Sequence, residues 1–440
     1  MSTSEFRGDQ AASNDKSLTT LRSVLPSAKA GFRLQKMNIP WRVAAITAAS
    51  AMIAWLETAR AIPNFRLLTF VLIFVAVSTA ASMTSGRHRD WLIVCASLAF
   101  GLSSLEGLAI LLEPKIPLVV YRWMTSQPVL GWTPARSGRN HAEARDPNTG
   151  SLIYSTDYTI DHNLLRQTLS AGEDRAAVFV GDSYTFGVGL NDADALPQIF
   201  ADLTEREQRV LNLGFPGYGP QHFLRELETG IFDRVIGEHP RAFIFTTFAS
   251  HAERSACKPH WMRLGPYYGI ENGGLTFLGP CYSGAHLWVT EWLNNTALYR
   301  VFIAPYRQRV AREDFDLYIE TIAAAVRAAK QKYDAPTLIA YIRTSDHYFC
   351  GTGFSDDKII GRLREAGADV IDASLERQRA EGVILDIPGD GHPTAAANRA
   401  RARLLMDSLG LPRSPSAALS TESPGNHNRA KLWGSGLFAR

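Results

Sequence analysis

A serine at the end of a buried strand is the residue of this sequence best placed to act as a nucleophile. The apolar run Ala176–Val180 leads directly into Gly181-Asp182-Ser183, and a Gly-rich turn follows. In an open parallel sheet, the carboxyl ends of the strands form the edge at which ligands bind. Gly181 permits a sharp turn there, which would leave the Ser183 amide facing the cleft as a donor to an anion. The alternative interpretation is a plain strand-end turn without a chemical role.

A loop near the C-terminus holds the base and the acid that such a serine needs. The sequence Asp390-Gly391-His392 stands just before the last predicted helix. His392 would take the proton of Ser183, and Asp390 would fix the tautomer of the imidazole and stabilise the imidazolium. Asp386 is a second carboxylate in this loop, farther from His392 in sequence. Alone, the motif is equally an Asp-Gly turn that contains a histidine.

Two more strand ends contribute polar or backbone groups. After the second strand, the Gly-rich loop around Gly217 offers a free amide as a second oxyanion donor, or simply makes a tight connection to the next helix. At the end of the third strand, Ser250 or His251 could direct a side chain at the same cleft. Glu253 and Arg254, which follow, are expected to form a local ion pair.

Taken in order, these segments resemble the blocks of the SGNH (GDSL-like) hydrolase superfamily. The resemblance covers about residues 176–410 and is strongest at Gly181-Asp182-Ser183 and Asp390-Gly391-His392. It implies a three-layer α/β/α, flavodoxin-like domain with a parallel sheet. It also implies acyl transfer by a Ser-His-Asp triad, here Ser183, His392 and Asp390.

The resemblance assigns the oxyanion site as well, with two departures. Gly217 matches the second block, and the third block would place Ser250 or His251 as a further donor. The family's third block is Gly-x-Asn-Asp, whereas this chain has Phe248-Ala249-Ser250-His251 and so lacks the Asn. The family's Asp-x-x-His is one residue shorter here.

The pattern of apolar residues predicts the elements that would hold these groups. Continuous apolar strands that alternate with helices indicate a parallel sheet covered on both faces. The predicted strands are Ala176–Val180, Arg209–Leu213, Ala242–Phe248, Thr337–Ile342 and Asp369–Asp372, and the predicted helices are Leu196–Glu207, Gln221–Gly237, Arg312–Tyr333, Ser355–Ala366 and Thr394–Leu409. Before them, Val119–Trp132 and Leu152–Ile160 are the expected extended pieces.

Three apolar runs precede this domain. Leu67–Gly86 and Trp91–Leu112 are long enough to cross a bilayer as helices, while Val43–Leu56 is short for a span. With three spans, the basic N-terminal tail and the loop Gly86–Arg89 fall on one side, which the positive-inside rule places in the cytoplasm. The alternative is a buried helical hairpin. The predicted organisation is a disordered basic cytoplasmic tail (1–38), a transmembrane region (39–113), an irregular, β-rich lead-in (114–175), the hydrolase-like domain (176–411) with an insertion (255–308), and a disordered tail (412–440).

Charge and cysteine usage narrow the possible partners. The first 42 residues carry seven Lys or Arg against three Asp or Glu, and the net charge of the whole chain is only +3. The folded part therefore has no basic stripe of the kind that binds nucleic acid. The four cysteines lack zinc-site spacing, so no metal or other cofactor is expected. Cys257 and Cys281 bracket a loop and would form a disulfide outside the cytoplasm, or remain two buried thiols.

These observations predict a membrane-anchored, outward-facing serine esterase or O-acyltransferase in the inner or plasma membrane, with its catalytic domain in the periplasm or exterior. An anchor fused to such a domain resembles envelope-polysaccharide modifying proteins, which indicates an acyl ester of a carbohydrate as substrate. The alternative of another class is a catalytically silent SGNH-like domain that serves as a binding or assembly module, for which the missing Asn argues. A ligand sensor would need a cytoplasmic output domain, and a short disordered tail is a poor one.

Overall fold

The computed structural model describes residues 39–59, 64–117, 119, 121–170 and 175–411. The predicted tails, 1–38 and 412–440, lie outside the described residues. The chain divides into two compact units, one ending at Ser104 and the other beginning at Leu105.

The first unit consists of apolar helices. They are α1 (Ile39–Ala59), α2 (Phe65–Ala81) and α3 (Gly86–Leu112), the last of which continues into the second unit. The apolar run predicted as Leu67–Gly86 is shorter as a helix. Helix α2 has 17 residues and ends at Ala81, where the chain turns, and α3 begins at Gly86. Among the described helices, α3 alone is both long and apolar enough to cross a membrane. Its 27 residues extend about 40 Å at 1.5 Å per residue.

The second unit is built on a five-stranded parallel sheet. The strands of the unit are β1 (Met124–Gln127), β2 (Gly131–Pro134), β3 (Gly138–Arg145), β4 (Leu152–Ile160), β5 (Ala177–Gly181), β6 (Val210–Gly214), β7 (Ala242–Phe248), β8 (Pro266–Glu271), β9 (Gly274–Pro280), β10 (Thr337–Ile342) and β11 (Asp369–Asp372). The sheet order is β6-β5-β7-β10-β11, with every pair parallel. When the five strands are numbered in chain order, the sheet order is 2-1-3-4-5, which is the flavodoxin-like order. In such sheets ligands bind at the carboxyl ends of the first and third strands, where the strand order reverses. The predicted α/β fold class is confirmed.

Helices cover both faces of this sheet. They are α4 (Ser183–Phe186), α5 (Leu196–Leu203), α6 (Pro220–Thr229), α7 (Asp233–Ile236), α8 (His251–Ser255), α9 (Gly284–Asn294), α10 (Ala297–Phe302), α11 (Ala304–Arg307), α12 (Arg312–Tyr333), α13 (Asp356–Glu365), α14 (Glu376–Ala380) and α15 (Ala395–Ser408). Alternate strand residues face opposite layers: Val178 and Phe245 pack in the core under α6 and α12, whereas Phe179 and Ile244 pack under α5 and α15.

The predicted helices differ from the observed ones mainly at their ends. The predicted helix Gln221–Gly237 is two helices, α6 and α7, because Gly230 adopts a left-handed conformation that ends α6. The predicted Leu196–Glu207 ends at Leu203, and residues 205 and 206 have positive φ. Helix α12 has its predicted bounds.

The insertion has more regular structure than predicted. It contains the hairpin β8–β9 and three short helices, α9 to α11. Asn272-Gly273 forms the hairpin turn with positive φ at both residues, a sequence signal typical of such turns. A disulfide joins Cys257 to Cys281, with the two Cα atoms 5.4 Å apart, and closes the loop that holds this hairpin.

Candidate functional site

The predicted nucleophile lies on a tight strand-to-helix turn. Strand β5 ends at Gly181 and α4 begins at Ser183, whose exposed fraction is 9%. Asp182 caps this helix, and its Oδ1 accepts a hydrogen bond from the Tyr184 N–H at 2.9 Å. A side chain at Gly181 would collide with Thr185 Oγ1, 2.5 Å from the position of its Cβ. The turn therefore fixes Ser183 at the carboxyl edge of the sheet.

A buried arginine holds the far end of the same turn. Arg166, which precedes β5, donates from Nη1 to the carbonyl oxygens of Phe186 and Gly187, each at 2.6 Å. Its Nη2 donates to the Leu190 carbonyl at 2.6 Å, and its guanidinium lies over the Tyr158 ring. A cation at the C-terminal end of α4 neutralises carbonyl groups that would otherwise lack donors.

The two predicted oxyanion amides are both without a protein acceptor. Across the described residues, neither the N–H of Ser183 nor that of Gly217 donates a hydrogen bond. The loop of Gly217 is held by the lead-in: Trp132 Nε1 donates to the Pro216 carbonyl at 2.9 Å, and the Tyr218 hydroxyl donates to the Trp132 carbonyl at 2.5 Å. Gly217 has φ of +87°, a conformation that other residues rarely adopt.

The predicted acid and base form a close pair. Nδ1 of His392 lies 2.5 Å from Asp390 Oδ2, and the backbone N–H of His392 donates to the same oxygen at 3.2 Å. Backbone hydrogen bonds from Gly391 and Ile387 close the loop into a tight turn. The Asp-x-His spacing thus suffices to bring the two side chains together, and Nε2 of His392 makes no hydrogen bond with any described residue.

This loop lies beside the nucleophile turn. The Tyr184 hydroxyl donates to the Gly391 carbonyl at 3.0 Å, and the rings of Tyr184 and His392 are 5.8 Å apart. The structure thereby brings Ser183, Asp390 and His392 to one edge of the sheet. In the described part of the chain, however, no hydrogen bond joins Ser183 to His392. Catalytic hydrogen bonds are often long before substrate binds.

The end of the third strand has a different arrangement from the predicted one. His251 is fully buried, with Nε2 3.1 Å from Asp182 Oδ2 and Nδ1 2.9 Å from Thr247 Oγ1. With both nitrogens occupied, this conformation gives no support to His251 as an oxyanion donor. Ser250 caps α8, and its hydroxyl makes no hydrogen bond with another described residue.

The sequence predicted an ion pair between Arg254 and its neighbour Glu253. In the structure Arg254 pairs with Asp182 instead. Its Nη1 donates to Asp182 Oδ2 at 2.8 Å and to the Tyr218 carbonyl at 2.6 Å, and lies 2.9 Å from His251 Nε2. Glu253 instead accepts a hydrogen bond from the Tyr348 hydroxyl. Arg254 therefore links the residue before Ser183 to the residue after Gly217.

Burial and charge set the protonation of this cluster. Burial alone would raise the pKa of Asp182, but the Arg254 charge and the His251 hydrogen bond outweigh it and hold the pKa well below its usual value. Burial, together with the same Arg254 charge, lowers the pKa of His251 to about 4. At neutral pH the cluster thus contains one carboxylate, one guanidinium and a neutral imidazole. In this state His251 Nε2–H donates to Asp182 and Nδ1 accepts from Thr247, so the 2.9 Å approach of Arg254 Nη1 to Nε2 is a contact between two donors and not a hydrogen bond.

Sequence reasoning missed four residues that support the site: Arg166, Arg254, Trp132 and Trp261. The indole of Trp261, in the insertion, would be 2.9 Å from a Cβ at Gly217, and that of Trp132 3.1 Å. Nothing in the sequence around Arg166 indicated its burial, which the structure alone reveals. No group of three or more His, Cys, Asp or Glu that could hold a metal ion occurs among the described residues.

The comparisons with known proteins give similarity at the level of solved structures. No protein-family profile matches the chain, and no curated protein sequence matches it. An α/β hydrolase, LAE5, from the metagenome of Lake Arreo, Spain, is 14% identical over 56% of this chain and 99% of its own, with a TM-score of 0.34. The esterase EstA from Pseudoalteromonas sp. is 12% identical over 54% and 97%, with a TM-score of 0.31.

A third solved structure is similar to the same extent. AlinE4, an SGNH-hydrolase family esterase, is 14% identical over 58% of this chain and all of its own, with a TM-score of 0.29. All three TM-scores are below 0.5, so the assignment of the fold class rests on the strand order of the sheet and not on these similarities.

Proposed function

We propose that this protein is a serine ester hydrolase or O-acyltransferase, with Ser183 as nucleophile. The observation that carries the proposal is the Asp390–His392 pair, in which Nδ1 is bound and Nε2 is left without a partner, in a loop hydrogen-bonded to the residue after Ser183. This is the arrangement that a general base of a serine nucleophile requires.

In the acylation step, the Ser183 hydroxyl attacks the ester carbonyl as His392 Nε2 takes its proton. The new bond between Oγ and the carbonyl carbon produces a tetrahedral oxyanion, which the N–H groups of Ser183 and Gly217 stabilise. When the carbon–oxygen bond of the ester breaks, His392 returns its proton to the leaving alkoxide. Asp390 stabilises the imidazolium in between and keeps its negative charge.

The acyl-enzyme is resolved by an acceptor hydroxyl. Attack by water, with His392 as base, releases a carboxylic acid and makes the enzyme an esterase. Attack by a sugar hydroxyl transfers the acyl group and makes it an O-acyltransferase. The substrate class that we propose is an acyl ester of an envelope or extracellular carbohydrate, and Ser250 is the remaining side chain at the third strand able to add an oxyanion donor.

In this proposal the enzyme is anchored in the inner or plasma membrane and its catalytic domain faces the periplasm or exterior. Helix α3 is long and apolar enough to be the anchor, and the Cys257–Cys281 disulfide suits an oxidising compartment. Alkylation of free thiols in intact cells, followed by reduction and a second label, measures the state of this pair. A fully reduced pair would place the domain in the cytoplasm and contradict the orientation.

The test of the catalytic proposal is covalent labelling of the full-length protein by a fluorophosphonate. The wild type is expected to be labelled, and Ser183→Ala is expected to abolish labelling because the variant lacks the proposed nucleophile. Ser151→Ala, which changes an exposed serine of the lead-in, is the matched control and should be labelled like the wild type.

The rival function, a silent binding or assembly module, predicts the opposite result. Absence of labelling in a sample that is folded, under conditions in which a control esterase reacts, would favour that module. The missing Asn and the missing Ser183–His392 hydrogen bond in the described chain are the observations on its side.

A further inference from the structure

Beside the proposed oxyanion site lies an exposed indole whose position is fixed from several sides. Trp261 is 46% exposed although it belongs to the insertion's most enclosed part, the loop closed by the Cys257–Cys281 disulfide. Its six-membered ring covers Gly217, with Cζ3 2.9 Å from the position of a Cβ there. An exposed aromatic residue on a protein surface is ordinary by itself. An exposed one that packs against the glycine of the proposed oxyanion site requires an explanation.

The neighbours of Trp261 hold its ring without covering it. Trp132 meets it edge to face, with ring centroids 6.2 Å apart and planes at 71°. The Arg254 guanidinium carbon lies 5.5 Å from the indole centroid. Trp132 is itself tied to the Pro216 carbonyl, so both tryptophans are fixed relative to Gly217. The ring is thus preorganised, which lowers the entropy lost when a ligand packs on it.

Several hydrogen-bond donors around this ring have no acceptor among the described residues. The Trp261 Nε1–H makes no hydrogen bond with any described residue. The Arg254 side chain is 15% exposed, and its close polar contacts all involve Nη1, which leaves Nε and Nη2 without a partner in the described chain. A ligand that fits therefore combines an apolar face with several oxygen acceptors at its rim.

We propose that Trp261 is the stacking platform of a sugar-binding subsite, which holds the pyranose ring of the substrate ester next to Gly217. The C–H face of a pyranose carries partial positive charge and packs on the electron-rich indole face, while its hydroxyl oxygens accept from Trp261 Nε1 and Arg254. This inference rests on the proposed function, which it deepens by naming the side chain that recognises the carbohydrate.

Another exposed tryptophan of the same unit provides a matched control. Trp288, on α9, is 66% exposed and has no aromatic or cationic ring contact in the described part of the chain. A change at Trp288 removes a similar exposed indole from the insertion, but one that does not touch the Gly217 loop.

The experiment compares two kinds of ester on full-length protein in detergent. The probes are p-nitrophenyl acetate and a panel of mono-O-acetylated methyl pyranosides, and the quantity is the ratio of kcat/KM for each sugar ester to that for p-nitrophenyl acetate. Trp261→Ala is expected to lower this ratio by about tenfold or more for at least one sugar, chiefly through KM, as loss of an aromatic packing partner implies. Trp261→Phe should lie between, and Trp288→Ala should equal the wild type.

Three outcomes separate the possible failures. An unchanged ratio for the whole panel in Trp261→Ala, with fluorophosphonate labelling of Ser183 intact, would overturn the subsite while leaving the hydrolase proposal in place. A loss confined to an aryl ester such as p-nitrophenyl benzoate would overturn it in favour of an aromatic acyl group. Absence of both turnover and labelling in the wild type would refute the proposed function itself. In that case, quenching of tryptophan fluorescence by methyl pyranosides in the wild type and Trp288→Ala but not in Trp261→Ala would still support the subsite, and equal quenching in all three proteins would overturn it.

Discussion

Two Asp–His pairs of this domain lie near the turn of Ser183, and they differ in burial and in which imidazole nitrogen faces the carboxylate. In the Asp390–His392 pair the imidazole is 23% exposed, with Nδ1 bound to the carboxylate and Nε2 without a partner among the described residues. In the Asp182–His251 pair the imidazole is fully buried, and Nε2 faces the carboxylate while Nδ1 is bound to Thr247.

The difference shows that an acid–histidine contact does not by itself define a base. A base needs a free nitrogen that a substrate can reach, which His392 has and His251 lacks. The buried pair instead serves the geometry of the site, because its carboxylate is the cap of the turn that carries Ser183. In the proposed mechanism one pair therefore takes a proton during the reaction, and the protonation of the other stays unchanged.

The largest expected effect comes from removing the carboxylate of the exposed pair. Asp390→Asn should lower kcat by up to about 10⁴-fold, because the neutral amide favours the wrong tautomer of His392 and does not stabilise the imidazolium. The free energy of unfolding should change by less than about 1 kcal/mol, since Asp390 is paired with His392 alone. Steady-state kinetics with p-nitrophenyl acetate and thermal unfolding measure the two quantities.

The same substitution in the buried pair provides the contrast. Asp182→Asn leaves the Arg254 charge largely buried and unpaired, which should destabilise the fold by about 3–5 kcal/mol. If Asp182→Asn reduced turnover as strongly as Asp390→Asn at unchanged stability, the division of roles between the two pairs would be wrong.

The pH dependence of stability reports the protonation of the buried histidine, His251. The unfolded chain protonates its histidines near pH 6.5, whereas His251 in the folded chain resists protonation until about pH 4. Between these values the unfolded state binds more protons, so stability falls as the pH is lowered from about 6.5 to 4, and this contribution levels off below that. The size of this contribution is about 3 kcal/mol.

Unfolding midpoints of His251→Gln and the wild type across this range check the assignment. His251→Gln should have a visibly shallower slope than the wild type. The slope in His251→Gln should not vanish, because burial also holds the pKa of His222 well below its usual value. An equal slope in the two proteins would contradict the buried, neutral state of His251.

The sequence was sufficient for the parts of this fold that local pattern determines. Strands β7, β10 and β11 and helix α12 have their predicted bounds, since continuous apolar runs and a 3.6-residue period are read from adjacent residues. The prediction that groups at successive strand ends share one edge also follows from topology. At that edge the loop of Asp390 and His392 contacts Tyr184, the residue after Ser183, while the grouping of the three side chains as a triad stays a prediction.

The partners of Asp182 could not be predicted in this way. His251 and Arg254 lie 69 and 72 residues farther along the chain, and whether they face the cleft or the core depends on how α8 leaves the strand. The same holds for Trp132, which lies at the end of a predicted extended piece and contacts Pro216 across 84 residues. By contrast, Asn272-Gly273 was a local hairpin signal that could have revealed β8–β9.

The smallest effect concerns the contact that joins the exposed pair to the nucleophile turn. The Tyr184 hydroxyl donates to the Gly391 carbonyl at 3.0 Å, a single neutral hydrogen bond worth about 1 kcal/mol. Tyr184→Phe keeps the ring against Phe248 and His392 but removes this bond, so the loop of His392 is held less closely to Ser183. We expect a fall in kcat of about fivefold with KM unchanged, measured on p-nitrophenyl acetate, because the loss affects the position of the base and not substrate binding.

The control is Tyr348→Phe, which removes a half-buried tyrosine hydroxyl that donates to Glu253. This variant should have the kcat of the wild type. Equal kinetics in Tyr184→Phe and the wild type would mean that the loop of Asp390 and His392 is positioned by its own backbone hydrogen bonds alone.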